Sequence, residues 1–170
     1  MSKDSSDNAI YRDSLYGTLG EPTYAGALSF MRRKYSRDLD GVDLAVTGIP
    51  LDTATTNRPG ARFGPRAIRE ASAIMAWERP YAMEFDPFEK LAVVDYGDCL
   101  FDFGKPDAVP TEIQSHAEEI INQGASLKQR DTNTTKIYVA YDSMKTPGKT
   151  FELDLINQKK TLVKQVKIPS

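Results

Sequence analysis

The apolar residues between positions 42 and 76 follow the pattern of a strand, a loop and a helix. The run VDLAVTGIP, Val42–Pro50, is rich in β-branched and aliphatic residues, which is typical of a strand buried on both faces. A polar loop leads from it into PRAIREASAIMAW, where Pro65 suits the first position of a helix. The apolar stripe of this helix is predicted at Ile68, Ala71, Ser72 and Met75.

The same order is repeated between positions 91 and 127. Leu91–Asp98, LAVVDYGD, predicts a second buried strand, and Thr111–Gly124 predicts a second amphipathic helix. Thr111 or Asp107 is expected to cap the start of this helix, and Gly124 to end it. Two successive βα units predict a parallel sheet with helices on its faces, and a third strand should follow. The apolar stripe of the second helix is Ile113, Ala117, Ile120 and Ile121.

The pattern changes after Leu127. The charged and polar stretch KQRDTNTT interrupts the expected third strand. Beyond it, apolar and polar residues alternate, which predicts antiparallel strands. Turn formers at Thr146–Gly148 and Ile156–Lys159 divide residues 138–168 into a three-stranded meander.

The region before the first strand carries weaker signals. Residues 1–21 are rich in Ser, Asp, Asn and Gly, so we expect a flexible arm, mobile or docked on a partner. Tyr24–Tyr35 predicts a short helix or loop packed by Phe30 and Met31. The basic triplet in this segment, residues 32–34, is interpreted as a solvated face. A nucleic-acid site is not favoured, because the chain is slightly acidic and has no interleaved aromatic platform.

Composition narrows the class of protein. The chain has 170 residues with a formal net charge of -2, and 40% of them are hydrophobic, which suits a globular protein. Neither a run of about 18 apolar residues nor a secretory signal is present, so we expect a cytoplasmic protein without a membrane span. The lone Cys99 excludes an internal disulfide, and the lone His116 excludes any intrachain site that needs two histidines.

Charge is distributed unevenly along the chain. Before residue 128 there are 13 basic and 20 acidic residues, and from residue 128 onward there are 9 basic and 4 acidic residues. Such a shift is typical of a domain boundary or a basic appendage, although local variation in a solvated tail is the alternative.

The loop Thr55–Gly64, TTNRPGARFG, is the first candidate for a functional site. It places Asn57, Arg58 and Arg62 just beyond the carboxyl end of a predicted strand, where open α/β sheets bind ligands. Its glycines do not match the dinucleotide fingerprint, and the chain has no phosphate-binding Gly-Lys-Ser/Thr. The alternative is a rigid connector whose arginines cap helices or pair with acids, and the spacing alone favours it.

Asp95, Asp98, His116 and Cys99 are the other candidates. The two aspartates lie at a strand end, where they could hold a cation or share a proton. Two carboxylates are too few for a metal cage, so a turn in which they accept backbone hydrogen bonds is favoured. His116 lies beside an apolar stripe and is interpreted as a packed or surface histidine. Cys99 has no histidine near it in sequence, so no nucleophile is supported.

Residues 41–99 contain TTNRPGARFGPRAIR, the pair Trp77-Glu78 and VVDYGD, and they resemble the amino-terminal part of the ureohydrolase (arginase/agmatinase) family. Within that family the segment is most similar to agmatinases and guanidino-acid hydrolases, over residues 22–127. The resemblance implies a three-layer α/β/α fold with a parallel sheet, and hydrolysis of a guanidino compound to urea and an amine. In the family, two manganese ions activate the attacking water. A homo-oligomer is also possible.

The metal-binding motifs of that family are not present in the sequence. They are Gly-Gly-Asp-His, Asp-Ala-His-x-Asp and a later Asp-x-Asp, and the first should follow Ser126-Leu127 almost at once. No catalytic residue and no metal ligand can therefore be assigned, and we expect no manganese to bind this chain. The leading hypothesis is a truncated agmatinase that is inactive by itself. The alternative is a non-catalytic interaction module that docks on intact ureohydrolase subunits.

The tail has a resemblance of its own. Residues 134–169, which contain YDSMKTPGKTFELD, are similar to part of the β-propeller domain of oligopeptidase B, a serine peptidase whose catalytic domain has no counterpart here. A peptidase fragment is the third interpretation. The expected organisation is an arm at 1–21, a ureohydrolase-like α/β domain at 22–127, a junction at 128–133 and a β meander at 134–170. Such a chimera is expected from a rearranged gene or a misassembled reading frame.

Overall fold

The computed structural model describes residues 7–76, 84–127, 136–143, 146–154 and 159–165. The chain divides into two compact units, Met1–Leu127 and Lys128–Ser170. None of the helices in this described part of the chain has the length and apolar character that a membrane span needs.

The first unit is built on a three-stranded parallel sheet. Its strands are β1 (Lys34–Tyr35), β2 (Leu44–Gly48) and β3 (Val93–Asp98), and they lie in the order β1-β3-β2. The central strand β3 is buried along almost its whole length. The two predicted strands and their parallel pairing are thus confirmed. Strand β1 was not predicted, because it lies in the segment that we expected to form only a helix or loop.

Strand β2 does not have the environment that its sequence predicts. We expected a strand buried on both faces, but β2 is an edge strand of this sheet. Leu44 is 45% exposed, and the other four residues of β2 are only half-buried. The expectation was wrong because, among the strands described, only β3 pairs with β2, so one side of it lacks a neighbour.

Two helices lie on opposite faces of the sheet. They are α2 (Gly64–Met75) and α3 (Val109–Leu127), and a short helix α1 (Asn8–Tyr11) precedes both in the chain. Arg69 of α2 binds Asp95 of β3, whereas Glu119 of α3 accepts a hydrogen bond from the hydroxyl of Tyr96, the next residue of the same strand. Because successive residues of a strand point to opposite faces, the unit has three layers. The predicted α/β/α arrangement is therefore confirmed.

Helix α2 buries a different face from the one predicted. It begins with Gly64 and carries Pro65 in its first turn, as expected. However, Ile68 and Met75 of the predicted stripe are 57% and 58% exposed. Of the predicted stripe only Ser72 is buried, and it faces the sheet together with Arg69, Ala73 and the following Ala76. The ion pair between Arg69 and the sheet sets this rotation of the helix.

Helix α3 is longer than predicted. It follows a 3-10 turn, Pro106–Ala108, and runs from Val109 through Leu127. Thr111 therefore lies inside the helix and Asp107 inside the preceding turn, so neither is the predicted N-cap. Gly124 is helical and does not end the helix. Along the stripe, Ile120 packs against the buried cluster of Leu39, Val94 and Tyr96, and Ala117 is exposed.

The segment before β1 is held by buried arginines. Arg32 and Arg33, which we expected on a solvated face, are 2% and 1% exposed. The interpretation was wrong because the guanidinium groups find carbonyl acceptors: Arg32 donates to Pro22 and Ala25, and Arg33 donates to Gly17. Burial lowers the pKa of Arg33 to about 10, so its side chain stays charged at neutral pH.

Residues 7–21 of the expected arm are packed onto the same unit. Arg12 is 4% exposed. Glu21 is buried, accepts a hydrogen bond from the backbone N–H of Asp7 at 2.6 Å, and lies 2.9 Å from Nη1 of Arg32. Arg12 donates to four carbonyl oxygens, those of Ser14, Tyr16, Gly17 and Arg32.

The second unit is an antiparallel sheet. Its strands β4 (Lys136–Ser143), β5 (Thr146–Asp154) and β6 (Lys159–Gln165) pair in chain order, which confirms the predicted meander. The first predicted turn was placed too late, because Thr146–Gly148 lies in β5. The second predicted turn, Ile156–Lys159, has its first three residues outside the described residues, and Lys159 begins β6.

Replacement of Gly26 tests the buried pair of Glu21 and Arg32. Gly26 has a φ of +85°, and a Cβ there would lie 1.7 Å from Oε1 of Glu21. Gly41 is the matched control, with a φ of +67° and open space around it. We expect Gly41→Ala to cost about 1–2 kcal/mol of unfolding free energy through backbone strain alone. Gly26→Ala should cost about 3 kcal/mol more, because it also breaks a buried ion pair.

The comparison is made by urea unfolding followed by circular dichroism at 222 nm, which reports on the helices of the first unit. Equal costs for the two alanine variants would show that the packing of Glu21 against Arg32 does not contribute as described.

Candidate functional site

The loop between β2 and α2 is organised by one buried carboxylate. Asp52 accepts a hydrogen bond from the backbone N–H of Gly60 at 2.7 Å and another from Nε of Arg62 at 2.5 Å. Burial alone would raise the pKa of Asp52, but these two partners outweigh it and the pKa is lowered. Asp52 is therefore ionised at neutral pH, and it joins the start of the loop to its end at Gly60 and Arg62.

The backbone of this loop adopts unusual conformations. Ala54 and Arg58 have φ values of 60° and 54°, in the left-handed region that residues with a Cβ rarely occupy, and Gly60 has 139°. Such strain persists only where the surroundings impose it. The hydrogen bonds to Asp52 supply that constraint, so the loop is a defined structure at the carboxyl end of β2.

The three predicted loop residues lie together in this turn but in different environments. Asn57 and Arg58 are exposed. Arg62 is committed to Asp52, and its guanidinium carbon lies 5.5 Å from the ring centre of Phe103, in the loop that follows β3. The pairing of Arg62 with an acid is what the rigid-connector interpretation expects. A substrate-binding role for Asn57 and Arg58 stays a prediction.

The strongest electrostatic cluster lies on the sheet beneath α2. Asp95 is fully buried, and Arg69 binds both of its oxygens, with Nε at 2.6 Å and Nη2 at 2.9 Å. Nη1 of the same guanidinium donates to Asp98 at 2.8 Å. Burial of Asp95 would raise its pKa, but the bonds from Arg69, Phe30 and Gly97 outweigh it and lower the pKa. Hydrogen bonds to Asp95 and Asp98 raise the pKa of Arg69 above that of a free arginine side chain.

Asp95 also holds the segment before β1. It accepts the backbone N–H of Phe30 at 2.7 Å, and Ser72 of α2 accepts the N–H of Met31 at 2.9 Å. Met31 and Arg32 have φ values of 50° and 49°, so the chain here is strained and held from two sides. The sequence interpretation of Asp95 as an acceptor of backbone hydrogen bonds is confirmed. Arg69 was not predicted, and the available signal was one charged residue on a helix face of otherwise small residues.

His116 is packed, as its sequence position indicates. Thr47 donates its hydroxyl proton to the carbonyl of Gly97 at 3.0 Å, so Nε2 of His116 is the donor in its 2.7 Å bond to Thr47. The ring also makes an edge contact with Tyr96, at 5.7 Å between ring centres. Burial, and then the charge of Arg37, lower the pKa of His116, so it is neutral at pH 7.

A cavity of about 360 Å³ lies beside His116. Cys99 lines it but is 2% exposed, and burial raises the pKa of its thiol. A protonated, buried thiol is a poor nucleophile. The remaining lining residues are Arg37, Leu100, Thr111, Glu112, Ser115 and Glu119.

Manganese, which the family resemblance implies, does not fit the side chains described here. Within the described ranges, no three His, Cys, Asp or Glu side chains come together as metal ligands. Both oxygens of Asp95 are bound by Arg69, which also takes Oδ1 of Asp98, and His116 is bound to Thr47. The carboxylate of Asp95, Oδ1 of Asp98 and Nε2 of His116 are therefore committed to structural contacts and are not free to bind a metal ion.

Comparison with known proteins gives a consistent set of relatives. Residues 42–128 match the model of the Arginase family. The agmatinase of Chromobacterium violaceum is 59% identical over 121 residues, which is 71% of this chain and 38% of that protein. The agmatinase of Proteus mirabilis is 39% identical over 117 residues, 63% of this chain and 37% of that protein.

A solved structure agrees with these relatives. The crystal structure of a hypothetical agmatinase from Burkholderia thailandensis superposes with a TM-score of 0.67 at 56% sequence identity, over 69% of this chain and 37% of that one. The chain therefore spans less than two fifths of the length of these relatives. None of these matches is a peptidase, so the resemblance of the tail to oligopeptidase B gains no support.

Replacement of Arg69 tests the cluster beneath α2. We expect Arg69→Met to lower the free energy of unfolding by about 3–5 kcal/mol, because it leaves Asp95 as an unpaired buried charge. Arg66→Met is the matched control, since Arg66 lies on the same helix but is exposed, and its effect should stay within about 0.5 kcal/mol. Urea unfolding at pH 7 measures both, and a loss below 1 kcal/mol for Arg69→Met would contradict the role of the pair.

Proposed function

The chain belongs to the arginase family, and from this premise we propose that it carries the substrate-loop part of an agmatinase-like ureohydrolase without hydrolytic activity of its own. The observation that carries the proposal is a contrast within one unit. The loop at the carboxyl end of β2 is held in a fixed conformation by Asp52, whereas the carboxylate of Asp95 and Nε2 of His116 are engaged in structural hydrogen bonds.

The loop offers groups that suit part of a guanidino substrate. The amide oxygen of Asn57 accepts hydrogen bonds of the kind that a guanidinium donates. Arg58 donates to carboxylates, so it suits the far end of a guanidino acid better than the ammonium of agmatine. Both substrate types therefore belong in any assay of this chain.

The hydrolytic step needs a water activated near neutral pH. In the family two manganese ions would supply this by lowering the pKa of a bound water. Asp95 cannot replace them as a base, because Arg69 binds both of its oxygens, and Nε2 of His116 is engaged with Thr47. We therefore assign no catalytic residue to this chain.

A urea-release assay tests this proposal. Purified chain with added Mn²⁺ is incubated with agmatine and, separately, with 4-guanidinobutyrate, and the agmatinase of Chromobacterium violaceum serves as the positive control. We expect no urea above that of heat-denatured chain from either substrate. Sustained turnover by the chain alone would show that the ligand inventory is wrong.

A second candidate function is that of a non-catalytic interaction module for ureohydrolase polypeptides. The specific observation in its favour is the edge position of β2, whose sequence is that of a strand with neighbours on both sides. Open strand edges pair readily with other chains.

A further inference from the structure

The outer edge of β2 presents backbone groups that the described residues do not pair. The N–H of Leu44 donates to Ala92, and the carbonyl of Gly48 accepts from Cys99, so residues 44, 46 and 48 turn their backbone groups toward β3. In a strand, alternate residues turn these groups to opposite sides. The N–H and C=O groups of Ala45 and Thr47 therefore point away from β3, toward the open edge.

The handedness of the crossovers identifies what belongs at this edge. The connection from β2 through α2 leads to β3 on one side of β2. Helix α3 lies on the opposite face of the sheet, and connections between parallel strands are right-handed in about 98% of cases. A parallel strand that follows α3 must then lie on the other side of β2. The sides of β3 are already taken by β1 and β2, so the available position is the outer edge of β2.

The three strands of the second unit form an antiparallel sheet in the order β4-β5-β6, so they are not of the parallel kind. The agmatinase of Chromobacterium violaceum aligns with this chain over only 38% of its own length, so most of that protein has no counterpart here. The unmatched part of that agmatinase, a protein of the same family, is therefore a source of a parallel strand that fits the outer edge of β2.

The apolar surface supports the same occupant. Leu44 on β2 is 45% exposed, and Ile68 and Met75 on the helix that covers one face of the sheet are 57% and 58% exposed. Monomers rarely leave large side chains of a parallel sheet and its helix layer uncovered. A strand added beside β2, together with its own helix, would cover exposed apolar surface on β2 and on α2.

We propose that the outer edge of β2 docks the carboxyl-terminal part of an agmatinase, which adds a parallel strand beside Ala45 and Thr47. The proposal rests on the proposed function, because it takes the occupant from the ureohydrolase family. In the completed sheet, the strand that follows α2 and the strand that follows α3 lie on opposite sides of β2. Open α/β sheets bind ligands at such a point. Docking therefore places the loop held by Asp52 at the crevice between the two polypeptides.

The test is to co-express the full chain with the part of the Chromobacterium violaceum agmatinase that follows its matched segment. Size-exclusion chromatography detects a complex, and hydrogen exchange measured by NMR follows individual amides. We expect a 1:1 complex in which the amides of Ala45 and Thr47 exchange at least about tenfold more slowly than in the chain alone. The amide of Leu44, already bonded to Ala92, is the internal control and should change little.

Ala45→Pro removes an outer-edge N–H without removing a bond to β3, and edge strands tolerate proline. It should abolish the complex, whereas Ala45→Ser, which keeps the N–H, should not. If the proline variant does not fold, the amide protection in the unmodified chain still decides the matter.

Three results would overturn the proposal. They are failure to obtain a soluble complex on co-expression, a complex that leaves Ala45 and Thr47 unprotected, and protection of both amides in the chain alone. The third result would mean that a second copy or the chain's own second unit covers the edge. None of these readouts involves urea release, so failure of docking is distinguishable from failure of the proposed function.

Discussion

The buried ion pair between Arg69 and Asp95 is the interaction on which the first unit depends. It joins α2 to the central strand, and through the hydrogen bond from Phe30 it also anchors the strained segment before β1. A buried pair of this kind gains little over an apolar contact, but losing one partner is costly. Its main consequence is geometric, because it fixes the rotation of α2 and leaves Ile68 and Met75 facing outward.

Much of the fold could be predicted from local patterns. The strands β2 and β3 and the helix α2 coincide with short apolar runs, a helix-starting proline and amphipathic spacing. The errors arose where a distant partner decides the outcome. Burial of Arg32 and Arg33 depends on carbonyl groups 7 to 16 residues away, and the rotation of α2 depends on Asp95, 26 residues from Arg69. Periodicity contains no information about such contacts.

The candidate site was predictable to a similar degree. Its position after a buried strand followed from the general rule for α/β sheets. The sequence could not show that Arg62 binds Asp52, because the pair forms only when the left-handed residues Ala54 and Arg58 turn the loop back on itself. An open strand edge follows from a sheet of few βα units, but the composition of β2, which is that of a strand with two neighbours, could not show that β2 is the edge strand.

The central claim is that the family fold is present here without the ligands for its metal ions. Electron paramagnetic resonance of Mn²⁺ tests it most directly, because the six-line signal of the free ion weakens when protein carboxylates and imidazoles replace its water ligands. Titration of Mn²⁺ into the purified chain at neutral pH is expected to leave this signal proportional to the total metal. Loss of the signal up to two equivalents per chain would contradict the account.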